Sequence, residues 1–382
     1  MTAPVVLIAP DKFKGSLSAS EVADAIRSAW LEVLPDSNVS VAPIADGGEG
    51  FALTLKDSVH GEWINIASFD ALGRPIASRY VLSEDRRTAI IEMADCSGLV
   101  RINAADLRPL RSNTFGTGIQ IRDAIDRGAT KVFIGLGGSA TTDGGLGMAA
   151  ALGWSFLDAG GEPVQPSPAD FQRIRRIVRP SQSLDHVSFV AACDVTNPLL
   201  GPTGSAQVFA PQKGASPADV AALEDSLAHI NRLAQEQLGS DFATASGTGA
   251  AGGIAFGLMT FCGASLVSGF DLIADLLDLH GKIRNADLVI TGEGRLDSQS
   301  LSGKGPGGVA RAAKAQGVPV IAIAGSVEHS LAVDELFDAT FPVVDQITTL
   351  PEALANALPS VRRATRRAAA LFKLGTQFHD PL

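Results

Sequence analysis

Cysteine is scarce in this sequence, and the three cysteines present stand far apart. Cys96, Cys193 and Cys262 form no C-x-x-C pair, and no histidine stands at ligand spacing from them. A disulfide framework or a structural zinc site is therefore not expected, and a reducing cytoplasm fits this usage. A secretory signal is not expected either, because the first short apolar run ends at Asp11 and Lys12.

Positive charge is in short supply. The chain has 31 Lys and Arg against 41 Asp and Glu, a net charge of −10. This balance argues against a nucleic-acid-binding or anionic membrane-binding surface. One stretch, 242–270, lacks charge altogether, but it has many glycines, a polar start and no basic flank. It predicts a buried glycine-rich loop and core helix rather than a membrane span.

Two common catalytic signatures are missing. No G-x-x-x-x-G-K-[ST] run occurs, since Gly303-Lys304 is followed by Gly305 and lacks the upstream glycine. No G-x-S-x-G run occurs, and none of the six histidines has a suggestive setting. The sequence therefore argues against a P-loop NTPase and against a serine hydrolase.

Glycine, in contrast, is abundant. The 40 glycines exceed the number of about 27 that an average share of about 7% predicts for this length. They suggest the tight strand-to-helix turns of an α/β fold. At 382 residues, a typical domain size of about 150 residues predicts two or three domains, with two favoured. No internal repeat or low-complexity linker is found.

The order of the predicted elements gives the domain plan. A strand over 5–9, a helix that begins after the capping box of Ser18 and Glu21, and a strand over 39–45 start a parallel sheet. Strands at 62–68, 76–82 and 87–93 have short turns between them and predict antiparallel pairing. The alternation of parallel strands and helices returns after residue 283 and ends in a helix over 351–373. We therefore expect a parallel α/β domain from both chain ends, 1–66 and 283–382, with a mixed α/β domain, 67–282, inserted.

The most informative stretch is the glycine run Gly135 to Gly147. It joins an apolar strand-like segment to a helix-like segment, so its backbone N–H groups and the helix dipole favour an anion such as phosphate. Asp143 within the run would repel a bare anion, and it fits a site that Mg²⁺ or a substrate hydroxyl joins. The run also matches a dinucleotide fingerprint, Gly135-x-Gly137-x-x-Ala140, with Asp158 about twenty residues further on. A nicotinamide-dependent oxidoreductase is therefore an alternative, although Asp143 interrupts the first turns of the expected helix.

Charged residues follow the predicted strands. Because ligands of an open parallel sheet bind beyond the carboxyl ends of its strands, these residues predict a functional site. Carboxylates near phosphates hold Mg²⁺ or accept a hydroxyl proton, and lysines offset phosphate charge. The candidates are Asp11, Lys12, Lys14, Asp46, Glu49, Asp194, Lys213, Glu293, Arg295, Asp297 and Lys304. A second glycine cluster, 247–253, is equally consistent with ligand binding and with close helix packing.

Seven motifs taken together resemble the bacterial glycerate kinase type I family. They span nearly the whole chain in order, and they are APDKFKGSLSA (9–19), ADGGEG (45–50), GLGGSATTDGG (135–145), CDVTNPLLGPTGSA (193–206), PQKGA (211–215), GTGAAGG (247–253) and TGEGRLDSQSLSGK (291–304). This resemblance implies phosphorylation of D-glycerate by ATP, usually to 2-phosphoglycerate, in glyoxylate or glycerate catabolism. It also implies a flavodoxin-like domain, a second domain of restriction-endonuclease-like topology, and an active site in the cleft between them. Thr142 stands where the family usually has Asn, and Lys12 stands where many relatives have Ser.

With that resemblance, the candidate residues are given roles as hypotheses. Nucleotide phosphates are assigned to Gly137, Gly138, Ser139, Thr141 and Lys304. Catalysis is assigned to Asp194, Asp297, Lys12 and Arg295, and the two aspartates are also the candidate Mg²⁺ ligands. Substrate contacts are assigned to Asp11, Lys14, Asp46, Glu49, Asp143, Lys213 and Glu293.

Several questions stay open at the level of sequence. Which carboxylate acts as base, whether the product is the 2- or the 3-phosphate, and whether the chain forms a homodimer are undecided. A non-catalytic regulator that binds a nucleotide or a sugar acid is the third function class. It would bind these ligands without releasing ADP in the presence of D-glycerate.

Overall fold

The structure is a computed structural model that describes residues 3–45, 47–297, 305–328 and 330–377, with the backbone alone at Gln377. In chain order, the strands are β1 Val5–Ile8, β2 Asn38–Val41, β3 Gly61–Phe69, β4 Pro75–Ser83, β5 Thr88–Glu92, β6 Lys131–Gly135, β7 Ser155–Leu157, β8 Arg176–Val178, β9 Ser188–Ala192, β10 Ser265–Val267, β11 Leu288–Thr291, β12 Arg295–Leu296, β13 Val320–Ala324, β14 Ser326–Val327 and β15 Ala339–Pro342.

The helices alternate with the strands at both ends of the chain and cluster in its middle. In chain order, they are α1 Ala19–Val33, α2 Phe51–Lys56, α3 Ala94–Ser97, α4 Phe115–Asp126, α5 Leu146–Ala151, α6 Ser205–Phe209, α7 Pro217–Leu238, α8 Ala250–Cys262, α9 Gly269–Leu276, α10 Leu279–Arg284, α11 Gly305–Ala315, α12 Leu331–Leu336, α13 Leu350–Ala355 and α14 Ala357–Gln377.

The two ends of the chain form one compact unit, residues 1–46 and 270–382. Its sheet has the strand order β15-β13-β11-β1-β2, and all four strand pairings are parallel. Helix α1 begins at the predicted capping box: Ser18 Oγ accepts from the backbone N–H of Glu21 at 3.3 Å, and the Glu21 carboxylate accepts from the Ser18 N–H at 2.8 Å. Trp30 of α1 is fully buried and packs on Phe372 of α14, with ring centroids 5.4 Å apart.

The middle of the chain, residues 47–269, forms the second unit. Its sheet has the order β10-β9-β6-β5-β4-β3, in which β3–β4 and β4–β5 are antiparallel and the other pairings are parallel. The predicted fold class, α/β with a parallel sheet from both chain ends and a separate mixed sheet, is confirmed. The flavodoxin-like and restriction-endonuclease-like topologies stay predictions.

The two units divide at other positions than the predicted boundaries at 66/67 and 282/283. Residues 47–66 group with the middle of the chain because α2 packs on β4 and β5, and β3 pairs with β4 along its whole length. Residues 270–282 group with the chain ends because the Phe270 ring lies directly against Gly308 of α11. The predicted limits remain a hypothesis about domains.

The charge-free stretch contains α8, whose residues are mostly buried, as predicted for a core helix. No helix in the described ranges is long and apolar enough to cross a membrane. The predicted helix over 351–373 is instead two helices, α13 and α14. Asn356 leaves helical geometry between them, and its side-chain amide donates to the Glu352 carbonyl oxygen at 2.9 Å. Asparagine side chains compete in this way with the helical backbone.

Candidate active site

In the first unit, the segments that follow β1 and β11 run side by side. The strands are paired in parallel, and the Asp11 N–H donates to the Gly292 carbonyl oxygen at 2.8 Å. Gly294 approaches the other segment so closely that a Cβ there would lie 3.2 Å from the Lys14 backbone nitrogen. The structure therefore brings these predicted residues to one sheet edge: Asp11, Lys12, Lys14, Glu293, Arg295 and Asp297.

These side chains differ in exposure. Asp11 is buried, and its carboxylate accepts from the Lys12 N–H at 2.6 Å. Asp297 is half-buried and pairs with Arg295, with Nε 3.1 Å from Oδ2. The Arg295 side chain is 72% exposed, so solvent screens this ion pair. Lys14 is also exposed.

Two predicted residues, Asp46 and Lys304, lie outside the described residues. The chain resumes at Gly305, where α11 begins. A Cβ at Gly305 would lie 3.3 Å from the Asp11 carboxylate, which places the start of α11 beside that group.

In the second unit, the glycine run leaves β6 at Gly135 and reaches α5 only at Leu146. Gly137 is half-buried and Gly138 is exposed. Within the described part of the chain, no acceptor is recorded for their N–H groups. The Gly138 carbonyl oxygen accepts from the Leu99 N–H at 2.8 Å, which attaches the run to a neighbouring segment. Two backbone N–H groups of the run thus have no protein acceptor in the described ranges, as an anion-binding turn requires.

Asp143, assigned above to substrate binding, points into the protein. It is fully buried, and its carboxylate accepts from the N–H and hydroxyl of Thr114, both at 2.8 Å, and from the N–H groups of Gly145 at 3.2 Å and Gly147 at 3.0 Å. Burial raises the pKa of Asp143, and these four hydrogen bonds oppose the rise. The donors hold the carboxylate at the N-terminus of α5, where negative charge is favoured.

Thr114 was not singled out from the sequence. It is fully buried, and its hydroxyl also accepts from the Met148 N–H of α5 at 2.9 Å. It directly precedes α4, and a threonine in that position is typical of an N-cap. In the structure, its side chain makes no cap of its own helix and serves Asp143 instead.

Lys213 is likewise buried, with 1% of its surface exposed. Its Nζ donates to Ser139 Oγ at 2.8 Å and to the Thr141 carbonyl oxygen at 2.6 Å. Burial lowers the pKa of Lys213 to about 7, and the charge of Asp143 acts in the opposite direction. Ser139 is buried with 4% of its surface exposed, and Thr141 is fully buried. These three residues are therefore buried, whereas Gly137 is half-buried and Gly138 is exposed.

The second glycine cluster supports the first by close packing. A Cβ at Gly252 would lie 1.8 Å from the Thr141 carbonyl oxygen, and one at Gly253 would lie 3.0 Å from the Gly144 Cα. Ala251, Gly252 and Gly253 all have positive φ, a conformation that the two glycines adopt readily. Of the two readings left open by the sequence, these contacts support packing.

The segment Gly47–Glu49 lies against the glycine run. A Cβ at Gly135 would lie 2.5 Å from the Gly47 carbonyl oxygen, and one at Gly137 would lie 2.6 Å from the Gly48 Cα. Glu49 itself is exposed. The structure thus places Glu49 in the chain segment that packs on the glycine run.

Asp194 follows β9, which pairs with β6. The side chain is half-buried, and its Oδ1 accepts from the Ser268 hydroxyl at 3.2 Å and the Gly269 N–H at 3.0 Å. Asp194 belongs to the second unit and Asp297 to the first. Among the residues that the structure describes, no group of three or more His, Cys, Asp or Glu side chains is arranged to hold a metal ion.

The dinucleotide alternative lacks its main structural element. A fingerprint of that type opens a helix directly after its glycines, but here ten residues separate Gly135 from the helical Leu146. Asp158 lies in a tight turn, where its carboxylate accepts from the N–H groups of Gly160 at 2.9 Å and Glu162 at 3.0 Å.

A parallel sheet with charged groups at its strand ends, and a glycine run with backbone N–H groups, are features that α/β phosphotransferases use to bind phosphates. The chain belongs to the glycerate kinase family, whose family model matches residues 6–373.

Curated relatives align over almost their whole length. A glycerate kinase from Bacillus subtilis (strain 168) is 42% identical, with 97% of this chain and 98% of the relative covered. A glycerate 2-kinase from Escherichia coli (strain K12) is 41% identical, with 97% and 98% covered. The crystal structure of a protein described as glycerate kinase 2 from Salmonella typhimurium LT2 has a TM-score of 0.88 and 42% identity, and 98% of this chain and 100% of that one are covered.

Proposed function

We propose that this protein transfers the γ-phosphoryl group of ATP to D-glycerate and forms 2-phosphoglycerate, in glyoxylate or glycerate catabolism. Membership of the glycerate kinase family carries the proposal. The E. coli relative named as a glycerate 2-kinase supports the position of the new phosphate.

The glycine run is the proposed phosphate site of the nucleotide. The N–H groups of Gly137 and Gly138 lie at an accessible turn, and such groups bind phosphate oxygens without side-chain charge. Ser139 and Thr141 lie below this turn, so we propose that they shape it. Lys304 keeps its predicted phosphate contact as a hypothesis.

The charged edge of the first unit is the proposed site of chemistry. Lys12, Lys14 and Arg295 would neutralise the glycerate carboxylate and the transferred phosphoryl group, and Asp297 would orient the glycerate hydroxyl. Phosphoryl transfer depends on alignment and on charge neutralisation more than on covalent catalysis, which suits this set of residues. Asp11 and Glu293 are proposed to contact substrate there. Asp46 and Glu49 keep their predicted substrate contacts as hypotheses.

Mg²⁺ is the proposed metal. It binds oxygen ligands, and in kinases one or two carboxylates hold it together with substrate phosphates. Asp194 and Asp297 are each a half-buried carboxylate of the required type, and either one together with substrate phosphates would form such a site. The ion would neutralise the phosphate charge that develops during transfer.

Coupled measurement of ADP release tests the reaction. We expect ADP with D-glycerate, much less with L-glycerate and related hydroxy acids, and none when EDTA is in excess over Mg²⁺. Phosphorus NMR of the product should show the 2-phosphate.

Calorimetry separates the alternatives. Binding of Mg-ATP without binding of NAD(H) is expected. Binding of NAD(H) together with oxidation of a hydroxy acid would favour the oxidoreductase, and nucleotide binding without ADP release would favour the regulator. A 3-phosphate product would contradict only the proposed position of transfer.

A further inference from the structure

Lys213 makes its polar contacts inside the protein. Its side chain is 1% exposed, and its Nζ reaches the run of residues 137–141 from below through Ser139 Oγ at 2.8 Å and the Thr141 carbonyl oxygen at 2.6 Å. A lysine that neutralises substrate charge by direct contact would need an ammonium group that solvent can reach. The buried position of Lys213 is therefore unlike that of a residue that binds substrate.

The two acceptors lie just after the exposed Gly138. Ser139 follows Gly138 directly, and Thr141 comes two residues later. On the far side, the Leu99 N–H donates to the Gly138 carbonyl oxygen and the Ala140 N–H donates to the Ser97 carbonyl oxygen, both at 2.8 Å. Lys213 thus attaches the run to the interior of the second unit, and these two backbone bonds attach it to the segment 97–99.

We propose that Lys213 is a positioning residue, which holds the segment Gly137–Ser139 in the conformation that binds nucleotide phosphates and does not itself contact substrate. This inference rests on the proposed function and replaces the sequence-based assignment of Lys213 to substrate binding. A glycine-rich segment has many backbone conformations in isolation, so a binding conformation requires external attachments.

The energetic setting agrees with this role. A buried amine is costly unless it is hydrogen-bonded, and both acceptors of Lys213 belong to the run. Burial lowers the pKa of Lys213 to about 7, and Asp143 is the charged group that opposes this shift. Both protonation states of the amine retain at least two N–H donors, enough for the two hydrogen bonds.

Calorimetric titration with Mg-ADP on the full-length protein tests the proposal without turnover. K213M keeps the length of the side chain and removes the donors, and we expect its Kd for Mg-ADP to rise at least tenfold. The KM for Mg-ATP should rise similarly, while the KM for D-glycerate changes less than twofold. K131M makes the same change at an exposed lysine on β6, and it should match the wild type.

Hydrogen exchange measured by mass spectrometry keeps the proposal testable if K213M does not fold. S139A removes one acceptor of Lys213 and leaves the lysine in place. In the ligand-free protein, the amides of Leu99 and Ala140 should then exchange several times faster, because the run is less firmly held. A Ser139 that acts only by touching phosphate would leave this ligand-free exchange unchanged.

Two results would overturn the inference: a K213M protein whose Kd for Mg-ADP stays within twofold of wild type, or unchanged ligand-free exchange in S139A. A rise in the KM for D-glycerate alone would restore the substrate-binding assignment. Failure of the proposed function looks different, because the wild type would then bind Mg-ADP without releasing ADP in the presence of D-glycerate. A wild type that binds no Mg-ADP would contradict both.

Discussion

Thr114 donates two hydrogen bonds to one oxygen of Asp143, from its backbone N–H and from its hydroxyl, both at 2.8 Å. Through this contact, the start of α4 is joined to the start of α5, the helix that ends the glycine run. Asp143, assigned from the sequence to substrate contact, thus joins the two helices that support the glycine run.

D143N should therefore destabilise the protein. An amide in place of the carboxylate turns one acceptor into a donor among four donors, and lost bonds to a charged group leave buried N–H groups unsatisfied. We expect the free energy of unfolding in urea to fall by about 2–4 kcal/mol. T114V should have a smaller effect of the same kind, and T114S should resemble the wild type. Unchanged stability with a raised KM for D-glycerate would support the substrate-binding assignment.

The stability contributed by Lys213 should depend on pH. Its folded pKa is about 7 and its ordinary value is 10.5, so between these values the unfolded chain binds more protons than the folded protein. Stability therefore rises with pH across this window, by at most about 1.4 kcal/mol per pH unit. Subtracting the unfolding free energy of K213M at each pH isolates this effect. A difference that stays flat from pH 7 to 10 would show that the amine is not desolvated in solution.

Gly252→Ala should be far more harmful than Gly239→Ala. Both glycines have similar positive φ, +77° and +73°, but only at Gly252 would the new Cβ meet the Thr141 carbonyl oxygen, at 1.8 Å. The backbone cost of about 1–2 kcal/mol is shared, and overpacking should add about 1–3 kcal/mol at Gly252. Thermal unfolding and Mg-ADP titration together measure the effect. Equal losses in the two variants would mean that the Thr141 contact is unimportant.

D194N and D297N should each lower kcat by about 10²- to 10⁴-fold, the range expected for loss of a charged group that acts in the transition state. Each aspartate is half-buried at a strand end, so thermal unfolding should change little. The exposed Asp185 and Asp36 provide matched controls, D185N in the second unit and D36N in the first. Near-normal rates in both test variants would refute the assignment of these carboxylates.

Local chemistry accounts for what could be predicted from the sequence. The capping box of Ser18 and Glu21 marked the start of α1, and the short turns between the predicted strands marked the antiparallel pairing of β3, β4 and β5. Strand ends followed by charged residues identified the edge that carries Asp11 and Asp297. These signals depend on neighbours in sequence, so one chain suffices to read them.

Tertiary structure alone decided which side chains of the candidate site face outward. Asp143 and Lys213 are polar residues within glycine-rich motifs, and that pattern is the same for a ligand contact as for a buried support. Their partners, Thr114 and Ser139, lie 29 and 74 residues away in the chain. Burial and hydrogen bonding over such separations depend on how the sheet and helices pack, and the residues near each position in the sequence do not predict that packing. The sequence by itself determined the family, the two kinds of sheet and the location of the glycine run. The packing of the second unit determined that Gly138 is exposed and that Asp143 and Lys213 support the run from buried positions.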